Sequence, residues 1–134
     1  MGVKVNKTTK KDFAIFKKAV LFWQEYFGLK DWEFVIVHED NESIPEVRAW
    51  CGYDVKGKIA TIGLATEWDK DDRSENQLKK SAFHEVCEVL MCPLWAIGMP
   101  HDSEKWHFEA AVHGIIRTLE NTVFSANLCR CKGE

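Results

Sequence analysis

Two short segments constrain this chain more than any others: Phe83-His84-Glu85-Val86-Cys87-Glu88-Val89-Leu90 and Glu109-Ala110-Ala111-Val112-His113. Each sets a histidine and a glutamate four residues apart, His before Glu in the first and Glu before His in the second. On an α-helix that spacing puts both side chains on one face, a turn apart. Apolar residues surround both pairs: Phe83, Val86, Val89 and Leu90 in the first, Phe108, Val112, Ile115 and Ile116 in the second. Acidic side chains are seldom buried unless they are paired or bound to a cation. The pattern therefore predicts two packed helices whose His/Glu faces meet, gathering four metal-type ligands with Glu85 left over for chemistry. The opposing account is a pair of solvated faces, since 29% of the chain is charged; one such pair would need no function. Two pairs among apolar neighbours weigh against it.

The 134 residues fit one domain, and 46% hydrophobic residues with eight Phe and six Trp argue a packed core rather than disorder. No apolar run approaches the ~20 residues needed to cross a bilayer, and the lysine-rich start lacks the apolar stretch of a signal peptide. A soluble cytoplasmic protein is expected. Five cysteines is an odd number, which argues against a disulfide framework. Cys51, Cys87 and Cys92 read as small buried apolar residues, and Cys129 and Cys131 as free thiols in a C-terminal tail. Residues 1–18 hold Lys4, Lys7, Lys10, Lys11, Lys17 and Lys18 against Asp12 alone, although the net charge is -3. A basic segment of this kind can bind nucleic acid. No nucleic-acid motif accompanies it, so a solvated arm and helix face is the favoured account.

In chain order, residues 1–10 read as a flexible basic arm, 11–124 as the domain and 125–134 as a tail. Phe13, Phe16, Val20, Trp23 and Phe27 form an apolar helical stripe that Gly28 should end. Trp32–Val37 reads as a strand, and Val47–Tyr53 and Ile59–Ala65 as an antiparallel hairpin turning through Gly57. In the last of these strands Ile59, Thr61 and Gly63 alternate with Ala60, Ile62 and Leu64, which suggests a half-exposed strand with an open edge. Such an edge can accept an extended peptide by backbone pairing, so Ile62, Gly63 and Leu64 are the candidate substrate-binding residues. Asp69, Asp71 and Asp72 lie in an acidic loop without the pattern of a calcium site. Ser74 and Gln77 form a capping box for the helix bearing His84, and Pro93 should stop or kink that helix. Asp102 or Ser103 caps a last helix running to about Asn121. His38, His101 and His107 read as surface or capping residues. Trp95 and Trp106 flank the loop between the site helices, where packing is the simpler role.

The chemistry follows from the ligand types. Zinc takes His and carboxylate ligands tetrahedrally, and a catalytic site leaves one position for water. In His-Glu-x-x-His two histidines a turn apart bind the metal and the glutamate serves as general base. Here Glu88 stands where the second histidine would be. His84, Glu88 and His113 give a two-His, one-carboxylate set, with Glu109 as a fourth ligand or an outer partner of the ligands. Glu85 would then be the general base.

The order of helix, three strands and Phe83-His84-Glu85-Val86-Cys87-Glu88-Val89-Leu90, followed by a helix with Glu109 and His113, resembles small zincin-type metallopeptidase domains. It is most similar to the short SprT-like domains of phages and prophages, over roughly the last two thirds of the chain. The resemblance implies an α+β, minimal gluzincin-like fold: an N-terminal helix, a three-stranded, mostly antiparallel sheet, then two packed helices carrying the site. It also implies zinc-dependent cleavage of a peptide or protein substrate, in the host cytoplasm if the chain is phage-encoded. Carried over, His84 matches the first zinc ligand, Glu85 the base and Glu109 the downstream glutamate ligand, which competes with His113. Glu88 departs from the motif. It is compatible with zinc, with a harder ion such as manganese, or with a catalytically inactive domain that binds a partner protein.

Overall fold

The computed structural model describes residues 6–68, 73–98 and 105–128. Its elements are β1 (Asn6–Lys7), α1 (Lys10–Tyr26), β2 (Glu33–Val37), β3 (Ala49–Asp54), β4 (Ile59–Leu64), β5 (Glu67–Trp68), α2 (Glu75–Gly98) and α3 (Lys105–Leu119). A π-helical turn at Glu120–Phe124 continues α3. This is a small α+β fold, and no helix of the described residues is long and apolar enough to cross a membrane.

Helix α1 begins where Thr9 and Asp12 cap each other: Asp12 N donates to Thr9 Oγ1 at 3.0 Å and Thr9 N to Asp12 Oδ2 at 2.9 Å. It stops because Gly28 adopts φ +68°, which lets Leu29 N reach Gln24 O and Gly28 N reach Glu25 O. Between the caps Phe16, Val20 and Trp23 are fully buried, while Lys10, Lys11, Lys17 and Lys18 face solvent. The buried stripe packs on α2, where Trp23 meets Phe83 edge-on at 4.7 Å and Phe83 lies 5.4 Å from Phe124. This aromatic cluster joins α1, α2 and the π turn.

The sheet has strand order β2-β4-β3, with β4 parallel to β2 and antiparallel to β3. It is therefore mixed, not mostly antiparallel. The β3–β4 hairpin is as expected, with Asp54 opposite Ile59 and Ala49 opposite Leu64. Strand β4, however, is central and has no open edge. The alternation along it reports its two faces: Ala60, Ile62 and Leu64 are fully buried, while Ile59 is 39% exposed. Gly63 is buried too, because the Trp50 indole lies across it; a Cβ there would come within 2.1 Å of the ring. Faces show in a side-chain pattern, but edges depend on strand order, which the pattern does not encode.

Three further expectations change. Asn6–Lys7 is not part of a free arm, since it pairs with Glu67–Trp68. Thr8 behind it is buried, donating from Oγ1 to Ala65 O at 2.7 Å, and lies 2.7 Å from His38 Nε2. His38 is correspondingly half-buried and stacks on Phe13. Of the stop or kink expected at Pro93, the stop is excluded, since α2 continues to Gly98. At the other end the tail starts later than residue 125, because Asn127 is buried and bonds back to Val123 O. Helix α2 opens at Ser74, whose Oγ accepts from Gln77 N at 3.2 Å. The acidic loop with Asp69, Asp71 and Asp72, His101, and the tail cysteines Cys129 and Cys131 lie outside the described residues.

Candidate metal centre

One stripe of α2 carries His84 and Glu88, and α3 lays His113 against it. His113 Nε2 is 3.3 Å and His84 Nε2 is 3.8 Å from Glu88 Oε1. The two rings lie 5.9 Å apart at 36°. One ligand atom from each of the three residues falls within 4.8 Å of the others, a group that can hold a metal ion. Ligands about 2.1 Å from a tetrahedral ion sit about 3.4 Å from one another, close to the two separations from Glu88. A further observation fits a cation at this point. Glu88 Oε1 is buried yet accepts no hydrogen bond, although His113 Nε2 is near enough. Groups that would share an ion aim at a common point rather than at each other.

Glu109 lies one turn before His113 on α3, half-buried, and is not in this group. Glu85 is half-buried beside it and lines a cleft with His84. Its burial, and then the charge of Glu88, push the Glu85 carboxyl up to about 8. The same crowding reaches the neighbouring strand: burial, then Glu85 and Glu88, pushes the Cys51 thiol up. Cys87 behind the stripe is likewise raised, by burial first and then by Glu120. Cys51 is half-buried and Cys87 and Cys92 are buried, and all three are free thiols.

Glu120 is the site residue that sequence reasoning missed. Its Oε2 lies 3.2 Å from His84 Nδ1, on the ring nitrogen opposite the one that faces Glu88. A carboxylate there holds Nδ1–H and leaves the Nε2 lone pair for an ion. The signal that could have found it is a four-residue ladder along α3, Phe108, Val112, Ile116, Glu120 and Phe124. In a regular α-helix four-residue steps drift about 40° apiece. The π turn opens at Glu120 and holds an extra residue per turn, which offsets the drift for the step that follows, so Phe124 enters the core one turn beyond the Glu120–His84 contact.

The cleft beside the cluster has a volume of about 320 Å³. Val47, Arg48 and Ala49 form one wall, at the start of β3, and the α2 stripe with Glu120 forms the other. The outer edge of β3 has no strand partner among the described residues. Ile62, Gly63 and Leu64 are therefore not positioned to bind substrate; β3 is the free edge beside the cleft. A larger hollow of about 650 Å³ lies past Val47, between the 40–47 loop, Trp50 and Trp68. It is lined by no histidine, whereas the smaller cleft has His84, Glu85 and Glu120 on its wall. His107 is exposed on α3, and Trp95 packs edge-on against Phe108 at 5.1 Å, in keeping with a packing role. The Trp106 side chain lies outside the described residues.

Comparison with family models, with curated proteins and with solved structures finds no match to this chain.

Proposed function

We propose that this chain is a metal-dependent hydrolase acting on peptide bonds, a small zincin-like domain of the SprT-like type in which His84, Glu88 and His113 hold the metal. The observation that carries this reading is the convergence of those three ligand atoms around a buried Glu88 oxygen that accepts no hydrogen bond, with His84 and Glu85 on the wall of an open cleft. Zinc is the ion proposed, with manganese the alternative because the set includes a carboxylate. When bound, zinc supplies Lewis acidity that polarises a carbonyl and makes water nucleophilic near neutral pH.

The protein's own groups do the rest. His84 is held by Glu120 through Nδ1, which orients its Nε2. Glu85 takes a proton from the attacking water and delivers it to the leaving amine nitrogen. Burial, and then the charge of Glu88, hold its carboxyl up at about 8 in the metal-free protein, and a divalent cation beside it would shift it towards the ionised, basic form. An extended substrate can pair its backbone with the free edge of β3 and pass its carbonyl along the cleft.

A partner-binding domain that does no chemistry is the competing reading, favoured by one feature, Glu88 in the place of the second histidine. Elemental mass spectrometry of untagged protein, wild type and His84→Ala, separates them. About one zinc or manganese per chain, lost in the variant, supports the hydrolase, and loss of peptide cleavage in Glu85→Gln would complete it. Absence of metal in both proteins after the ions are supplied leaves the partner-binding domain.

A further inference from the structure

The cleft is polarised along α2. His84, Glu85 and Glu120 stand at one end, and Lys80, Ser81 and Gln77 continue the same wall away from them. Gln77, Lys80 and Ser81 precede His84 by seven, four and three residues, so they lie on the His84 side of the helix, about 5 to 10 Å along its axis. All three are half-buried. Among the described residues, none of their side chains makes a hydrogen bond or ion pair. That contrasts with Lys79 next door, which is buried and pairs with Glu75 at 2.9 Å. Across the cleft Arg48 lines the same end, its guanidinium stacked over Trp68 at 4.8 Å.

An amide, a hydroxyl and an ammonium thus face one polar cleft with donors unspent. Their polar tips open onto the cleft rather than into the core, and the groups that can accept from all three at once are anionic oxygens. From this arrangement we infer that the outer end of the cleft binds a carboxylate of the substrate, one to two helical turns from the metal ligands, with Lys80 as the specificity-determining residue. The inference rests on the metal site proposed above. It makes the substrate a peptide carrying a carboxylate close to the bond that is cut, supplied by an acidic side chain or by the chain's own C-terminus.

The test uses two small probes on the zinc-loaded protein: the monohydroxamate of succinic acid, which joins a metal-binding group to a free carboxylate, and the same molecule with that carboxylate converted to a carboxamide. Calorimetric titration is expected to show the acid binding about tenfold more tightly than the amide. Lys80→Ala should abolish the difference while leaving zinc content unchanged, and Lys80→Arg should retain it. Equal affinity of the two probes for wild type overturns the carboxylate site and leaves the metal site standing. Failure to load either zinc or manganese overturns both, and a loaded protein that binds neither probe overturns the carboxylate site. Digestion of a peptide mixture then separates the two sources. Cuts beside Asp or Glu identify an acidic side chain, cuts near the chain end identify the terminal carboxylate, and cuts with neither pattern overturn the inference.

Discussion

Phe83 and His84 are neighbours on α2, yet they belong to opposite kinds of surface. Phe83 is fully buried among the rings of Trp23, Phe27 and Phe124, where ring-on-ring packing favours the folded state. His84 lies on a half-buried strip with Glu85 and Glu88, where carboxylates repel one another and one oxygen has no donor. The first face supplies stability. The second costs stability unless a cation or ligand completes it, and a folded protein tolerates such a strip only because the other face outweighs it.

The contrast can be broken or sharpened by experiment. The largest effect is expected at the aromatic face: Phe83→Ala should cost about 3–5 kcal/mol in urea unfolding of the metal-free protein. A loss under about 1 kcal/mol would show that the cluster is not the source of stability. Next, zinc at a hundredfold excess over its Kd should stabilise wild type by about 3 kcal/mol, read as a rise in Tm. His113→Ala should lose that gain, whereas Glu109→Ala should keep most of it because Glu109 lies outside the ligand group.

Glu85→Gln tests the cost of the polar strip directly. With its pKa raised, Glu85 holds its proton more tightly in the native state than in the unfolded chain. Its contribution to stability is full below about 4.5 and is lost as pH rises through about 8. The metal-free Gln variant should therefore be more stable than wild type at pH 9, by about 2 kcal/mol once partial exposure is allowed for. At pH 4 the two should unfold alike. Parallel pH curves for the two proteins would contradict the raised pKa.

Glu120→Ala should weaken zinc binding about 10- to 100-fold in a chelator competition, with Glu120→Asp recovering part of the loss. An unchanged affinity would make Glu120 a mere neighbour of His84. The smallest effect is a control away from both faces. Thr9→Ala removes the α1 cap and should cost about 1 kcal/mol without changing zinc affinity.

Much of this was legible before any coordinates. The spacing of Phe16, Val20 and Trp23 defines the buried side of α1, and Gly28 its end, because both depend on a few consecutive residues. The His84/Glu88 stripe is equally local, since a helix of any tertiary setting puts them a turn apart. Glu120 escaped because its partner His84 lies 36 residues away on another helix, and no local pattern reports which helix faces meet.

What the sequence determined by itself is therefore what local geometry dictates: the helices and their faces, the β3–β4 hairpin, and the chemical character of residues 84, 85, 88 and 113. The tertiary structure alone decided the order of the strands, the choice of His113 over Glu109 beside Glu88, the reach of Glu120 to His84, and the cleft along Lys80. Each of these depends on which surfaces meet across long separations in the chain. That is settled by packing the whole core at once, not by any window of neighbouring residues.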